Sequence, residues 1–210
     1  MRILLLGHEN DGPFLQNIGS KLDANTNHDW LHYDSSLSTC THFPRKNYKN
    51  FITVEPFLRE WRSKSFKVQD NIVTYEKQLI EEESLPSKSF WHIMLSDPTL
   101  IDIHHERKPF YKFPSSFEER VAFATYLMRY SRLKLLDDFQ PDYVFCVMNN
   151  YIVKQAFRYY QNRYNFKYRC LHPSRLNDLW SMYDKDLNII AHSCNSTRPL
   201  LAQNPEIKSL

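Results

Sequence analysis

Residues 2–33, RILLLGHENDGPFLQNIGSKLDANTNHDWLHY, decide the fold. Arg2 to Leu6 is a short, mostly apolar run stopped by Gly7, the pattern of a strand buried on both faces of a parallel sheet. Pro13 suits the first turn of a helix. Phe14, Leu15, Ile18 and Leu22 then recur at helical spacing until Asp23-Ala24-Asn25 closes the segment. Trp30 to Tyr33 reads as a second strand. Strand, loop, helix, strand is how a doubly wound α/β sheet begins. The same stretch holds all three glycines of the chain, at positions 7, 12 and 19.

A second unit of this kind stands near the other end. Ser115 and Ser116 each precede a glutamate by three residues, which is the capping-box pattern. Phe117, Val121, Ala124, Leu127, Met128 and Leu135 continue one helical face, with an end expected near Asp138. Tyr143 to Val147 is β-branched and aromatic, hence a buried strand. Met148-Asn149-Asn150 is a loop suited to capping a helix, whose inner face carries Ile152, Ala156, Phe157, Tyr160 and Tyr164. Lys167 to Leu171 returns as a strand. The stretch between these units is irregular. There a short helix is expected over Val54–Trp61, another over Ile72–Glu83, and a strand over Phe90–Leu95, stopped by Ser96-Asp97-Pro98. The expected fold is α/β and Rossmann-like: a mostly parallel sheet with helices on both faces. It forms a single domain over 1–190 with an irregular insertion at about 35–110. Residues 191–210, from about His192 onward, read as a tail or the start of a second domain.

Composition narrows the class. With 42% hydrophobic, 15% aromatic and 24% charged residues the chain has what a packed core needs. A net charge of +3 and a pI near 8.6 give no general affinity for a phosphate backbone. Cysteines 40, 146, 170 and 194 form no C-x-x-C pair, so neither a zinc site nor a disulfide framework is expected, and reduced thiols are. Ile3 to Leu6 is too short for a signal-peptide core and no run approaches a membrane span, so a cytoplasmic location is expected. Asn195-Ser196-Thr197 reads as a polar loop rather than a glycosylation site.

In an open α/β sheet ligands sit outside the carboxyl ends of the strands. Three loops fall there: His8 to Gly12, Met148 to Asn150, and His172 to Asp178. Gly7 and Gly12 have the gap of a phosphate-binding P-loop, but Pro13-Phe14 replaces its lysine and hydroxyl, and no G-x-G-x-x-G exists. Nucleotide hydrolysis and dinucleotide binding are therefore set aside. Gly7 and Gly12 are read as allowing a close approach by a ligand or a facing domain. His8, Glu9 and Asp11 are candidate general bases. Carboxylates before a helix also complement its dipole with no further role.

The span from Met148 to Asn177 contains no Asp or Glu. Its Lys154, Arg158, Arg163, Lys167, Arg169 and Arg175 alternate with aromatic residues. That pattern fits a solvated basic helix face, and it also fits a single-stranded nucleic-acid surface, whose binding would depend steeply on salt. Arg175, after a strand and a Pro-Ser turn, is the cation expected at the ligand side of the sheet. His28 and His32 are four apart but lie in a loop entering a strand. They and His42, His104 and His105 are read as surface or core histidines, and no metal site is expected.

Two stretches, ILLLGHENDGPFLQNIGSKL and FQPDYVFCVMNNYIVKQAFRYYQNRYNFKYRCLHPSRLNDLWSMYDKDL, together resemble the N-terminal half of GT-B glycosyltransferases, in particular the capsular and surface polysaccharide biosynthesis group. The likeness rests on Pro141-Asp142 with Val144-Phe145, on Asn149-Asn150, and on Pro173-Ser174-Arg175-Leu176 followed by Tyr183-Asp184. It implies a Rossmann-like acceptor domain facing a second domain that holds a nucleotide-sugar, with transfer in the cleft between them. It implies no metal and no cofactor beyond the nucleotide-sugar donor. The acceptor is expected to be a glycan or lipid-linked glycan, and the chain to work with a second GT-B domain or a partner protein, since 210 residues supply one such domain. His8, Glu9 and Asp11 then supply the base, and Gly7, Asn10, Gly12, Asn149, Asn150, His172 and Arg175 the contacts to substrate. The alternative is a non-catalytic glycan- or protein-binding module on the same fold.

Overall fold

The computed structural model describes residues 1–7, 11–25, 28–35, 50–63, 87–97, 116–147, 152–173, 179–186 and 188–194. In chain order these form β1 (Arg2–Gly7), α1 (Gly12–Asn25), β2 (Asp29–Asp34), β3 (Phe51–Thr53), α2 (Glu55–Ser63), α3 (Ser87–Ser96) and α4 (Phe117–Arg132). A π-helical turn (Leu133–Asp137), β4 (Tyr143–Val147), α5 (Ile152–Tyr160), β5 (Lys167–Pro173), β6 (Leu179–Tyr183) and β7 (Ile189–Cys194) follow. The strands make one sheet in the order β3-β2-β1-β4-β5-β6-β7. The first five are parallel, β6 adds antiparallel to β5, and β7 antiparallel to β6. The order 3-2-1-4-5 is the Rossmann order, in which the chain reverses its direction of travel across the sheet between β1 and β4. The fold is therefore α/β and Rossmann-like, as the sequence implies.

Alternation along β1 divides the core. Ile3 and Leu5 face α1 and pack with Leu15, Trp30 and Val147. Leu4 and Leu6 face the other way, into a larger cluster filled by α2, α3, α4 and α5 with Val144, Cys146 and Tyr168. Gly19 lets α1 lie close to β2, because a Cβ there would stand 2.5 Å from ring atoms of Trp30. Trp30 Nε1 donates to Asp23 Oδ1 at 2.6 Å, which fixes the far end of the same helix.

Several local expectations hold. Ser116 caps α4: its hydroxyl accepts from Glu119 N at 3.1 Å while the Glu119 carboxylate accepts from Ser116 N at 3.3 Å. Others are corrected. Phe90–Leu95 lies within helix α3, where Ile93 and Met94 are buried while His92 and Leu95 are exposed, and Asp97, just past its end, is buried again, a helical rather than an alternating pattern. Short apolar runs are ambiguous between the two periods, and packing against α4 and α5 in one cluster resolves it. The helix expected to run to Asp138 is α-helical to Arg132 and widens into the π turn, closed by Asp138 N–H donating to Leu133 O at 3.1 Å. His192 belongs to β7, so the sheet extends past the point where a tail is expected. The span 35–110 contributes β3 to one edge of the sheet as well as α2 and α3. Ile72–Glu83 lies outside the described residues.

Candidate functional site

At the carboxyl edge of the sheet β1 ends at Gly7 and β4 at Val147, side by side. Asp11 immediately precedes α1, the helix that follows β1, and α5 is the helix that follows β4. Lys154, in the first turn of α5, is completely buried. Its Nζ donates to Asp11 Oδ2 at 2.9 Å and to the carbonyl of Val147 at 2.9 Å. A lysine taken wholly out of water needs such partners, because desolvating an ammonium costs several kcal/mol. The Asp11 side chain keeps 18% exposure, so the pair is buried at its cation and open at its carboxylate.

A second carboxylate serves α5 itself. Asp97, fully buried at the end of α3, accepts from Ile152 N at 2.7 Å and so caps the helix from 55 residues away. The expected capping asparagines, Asn149 and Asn150, lie outside the described residues.

Beside the pair, His32 of β2 is fully buried with Gln16 Nε2 3.0 Å from its Nδ1. Burial pushes its pKa down to about 4, against the pull of the Asp34 and Asp11 charges, and Lys154 lowers it further. At neutral pH the ring is uncharged and accepts from the Gln16 amide. A Cβ on Gly7 would stand 2.6 Å from His32 Nε2 and 2.7 Å from Leu15 Cδ1. The space that the glycine leaves is thus taken by the protein's own side chains. Ser35 closes the rim, its N–H and Oγ both donating to Gly7 O, at 3.0 and 2.8 Å.

Of the candidates read from sequence, Gly7, Asp11 and Gly12 stand together at this edge. His172 lies at the carboxyl end of β5, two strands from β1, exposed and edge-on to Tyr183 at 6.1 Å. His8, Glu9, Asn10, Asn149, Asn150 and Arg175 lie outside the described residues. Sequence reading missed Lys154 and Asp97, whereas His32 is a core histidine, one of the two places the sequence allows it. Lys154 is corrected outright: within the basic aromatic run it reads as part of a solvated face, and it is the most buried cation described. The missing signal was there in part, since the run has no acid of its own and a buried cation in it must find one elsewhere.

Other candidate chemistry is absent among the described residues. No cluster of three or more metal-ligating side chains occurs there, and no helix is long and apolar enough to cross a membrane. Cys146 and Cys170 are directly opposed on β4 and β5, with Tyr168 OH 2.9 Å from Cys146 Sγ. The hydrogen bond to Cys146 and burial push the Cys170 thiol far up, so it stays protonated and is a poor nucleophile. Among the described residues, two clefts open away from the carboxyl edge. One, of about 390 Å³, lies among Arg2, Asp137, Gln140, Asp142 and Tyr164 at the amino end of β1 and β4, and one of about 240 Å³ lies between α2 and α4.

Comparison of the chain with protein-family models, with curated proteins and with solved structures returns no match.

Proposed function

We propose that the chain is the acceptor-side domain of a glycosyltransferase that acts on a glycan in surface or capsular polysaccharide synthesis in the cytoplasm. The observation that carries this reading is the carboxylate of Asp11, partly open to solvent at the β1/β4 reversal and held by a buried lysine. Ligands of this architecture collect at that reversal. Asp11 takes the proton of an acceptor hydroxyl while that oxygen bonds to the anomeric carbon of the donor. The bond from that carbon to the diphosphate breaks, and the nucleoside diphosphate leaves. Lys154 orients the carboxylate. His172, at the carboxyl end of β5, extends the acceptor contacts.

The alternative is a glycan-binding module without catalysis; Asp97 fills the α5 N-terminus, so that helix end holds no ligand anion in either reading.

The test is binding of the full chain to an oligosaccharide array, followed by transfer of radiolabel from a panel of nucleotide-sugars to the bound species. Binding that falls by about tenfold or more in Asp11→Ala, in protein with unchanged circular dichroism, is expected. Binding with transfer identifies the enzyme, and binding without transfer establishes the glycan recognition that the acceptor-side domain and the module share. An array that retains no protein, or retention indifferent to Asp11→Ala, overturns the reading.

A further inference from the structure

The sheet carries a second surface that the reversal site does not use. On the side facing α1, the core cluster ends at Phe145 and Val147 of β4. The next strand presents Lys167, Arg169 and Leu171 on that side, and none of the three belongs to either core cluster. The register sets each aromatic residue of β4 opposite a cation of β5: Tyr143 pairs with Lys167, and Phe145 with Arg169. The two rings lie parallel, 6.1 Å apart at 14°. Lys167 Nζ stands 5.4 Å over the Tyr143 ring and 3.4 Å from its hydroxyl, and is exposed. Arg169, half-buried, donates to the carbonyl of Tyr168 at 2.8 Å, and its charge also reaches the exposed Asp184.

An aromatic row beside a cationic row suits a chain whose units offer a flat face and a negative charge. We infer that this β4/β5 face binds an acidic glycan, a chain of uronate-bearing sugars, whose rings pack beside Tyr143 and Phe145 and whose carboxylates meet Lys167 and Arg169. The inference rests on the acceptor reading above and names its substrate class. Direction supports it. β4 runs from Tyr143 to Val147, about 13 Å at the usual strand rise. Val147 is the residue whose carbonyl anchors Lys154 beside Asp11. A glycan laid along β4 is led to the carboxylate that accepts its proton. A nucleic acid fits less well, since two cations and a net charge of +3 supply little of the counterion release on which such binding depends.

The experiment titrates the full chain with three probes: oligogalacturonate, its methyl ester, which keeps the rings and loses the charges, and oligouridylate. Lys167→Gln/Arg169→Gln is compared with Lys134→Gln, an exposed lysine paired with Asp138 on the π turn. Oligogalacturonate is expected to bind about tenfold more tightly than the ester, the sum of two partly exposed ion pairs. The double variant should lose that margin while Lys134→Gln keeps it. Equal binding of acid and ester, or a double variant that keeps the margin, overturns this inference and leaves the acceptor reading standing. Failure of every saccharide, here and on the array, overturns both, and oligouridylate binding lost in the double variant then reassigns the face to nucleic acid.

Discussion

His32 occupies the room that Gly7 leaves empty, and its burial couples stability to pH. The unfolded chain takes up a proton near pH 6.5, whereas the folded ring resists protonation until about pH 4. Between those values the unfolded state binds more protons, so stability is full above pH 6.5 and falls as pH drops toward 4. From pH 7.5 to 5 the loss is on the order of 2 kcal/mol. Urea midpoints at pH 7.5, 6 and 5 measure it. In His32→Gln, which keeps a polar group against Gln16, the fall over this window should shrink, and an identical fall in both proteins would refute the buried neutral ring. Glycine itself serves packing here. Among the described residues, the non-glycines in the left-handed region are Asn50 at φ 47° and Gln140 at φ 52°, and no described glycine lies there. Gly7 and Gly19 instead admit His32, Leu15 and Trp30.

Among the elements, those with a sustained local period were legible in the sequence. β1, α1, β2, β4, α5 and β5 each carry an apolar run or a helical stripe of their own, and α4 announces its start through Ser116 and Glu119. Elements defined by what they pack against were not. SFWHIMLS is apolar enough for a strand, and it is a helix because Ile93 and Met94 meet the cluster shared by α4 and α5. LWSMY and IIAHSC mix polar and apolar residues, and they become strands by adding antiparallel, the first to β5 and the second to the first. Asp97 reads as a stop signal before Pro98, and only the docking of α3 makes it the cap of α5. Asp97→Ala should therefore cost about 2 kcal/mol, the sum of a lost cap and a charged hydrogen bond, and Asp97→Asn less than about half of that. Chemical denaturation decides between them. Equal midpoints for wild type and Asp97→Ala would remove the cap.

At the scale of the whole molecule, the Lys154–Asp11 pair joins the first strand-helix-strand unit to the second, 143 residues apart. Neither end announces it, because each residue is ordinary for its own segment. Asp11→Ala leaves a buried ammonium without its carboxylate and should cost about 3 kcal/mol, near the low end for broken buried pairs because Asp11 is partly exposed. Lys154→Met removes the charge at similar volume and should cost less. The double variant should then be more stable than the two single losses predict, by about 1–2 kcal/mol. Additive losses in this cycle would mean that the pair holds nothing together.

The placement of β1 has a consequence in time. β1 pairs on one side with β2, which follows within 30 residues, and on the other with β4, Ile3 opposite Tyr143. On a ribosome adding about 5–20 residues per second, roughly ten seconds pass between the emergence of those two partners. Throughout that interval β1, an interior strand of the finished sheet, is an edge strand, with a row of apolar residues and one side of its backbone unpaired. The chain is most vulnerable to wrong pairing while its middle third is being made, and substitutions there will act on yield before they act on the folded protein.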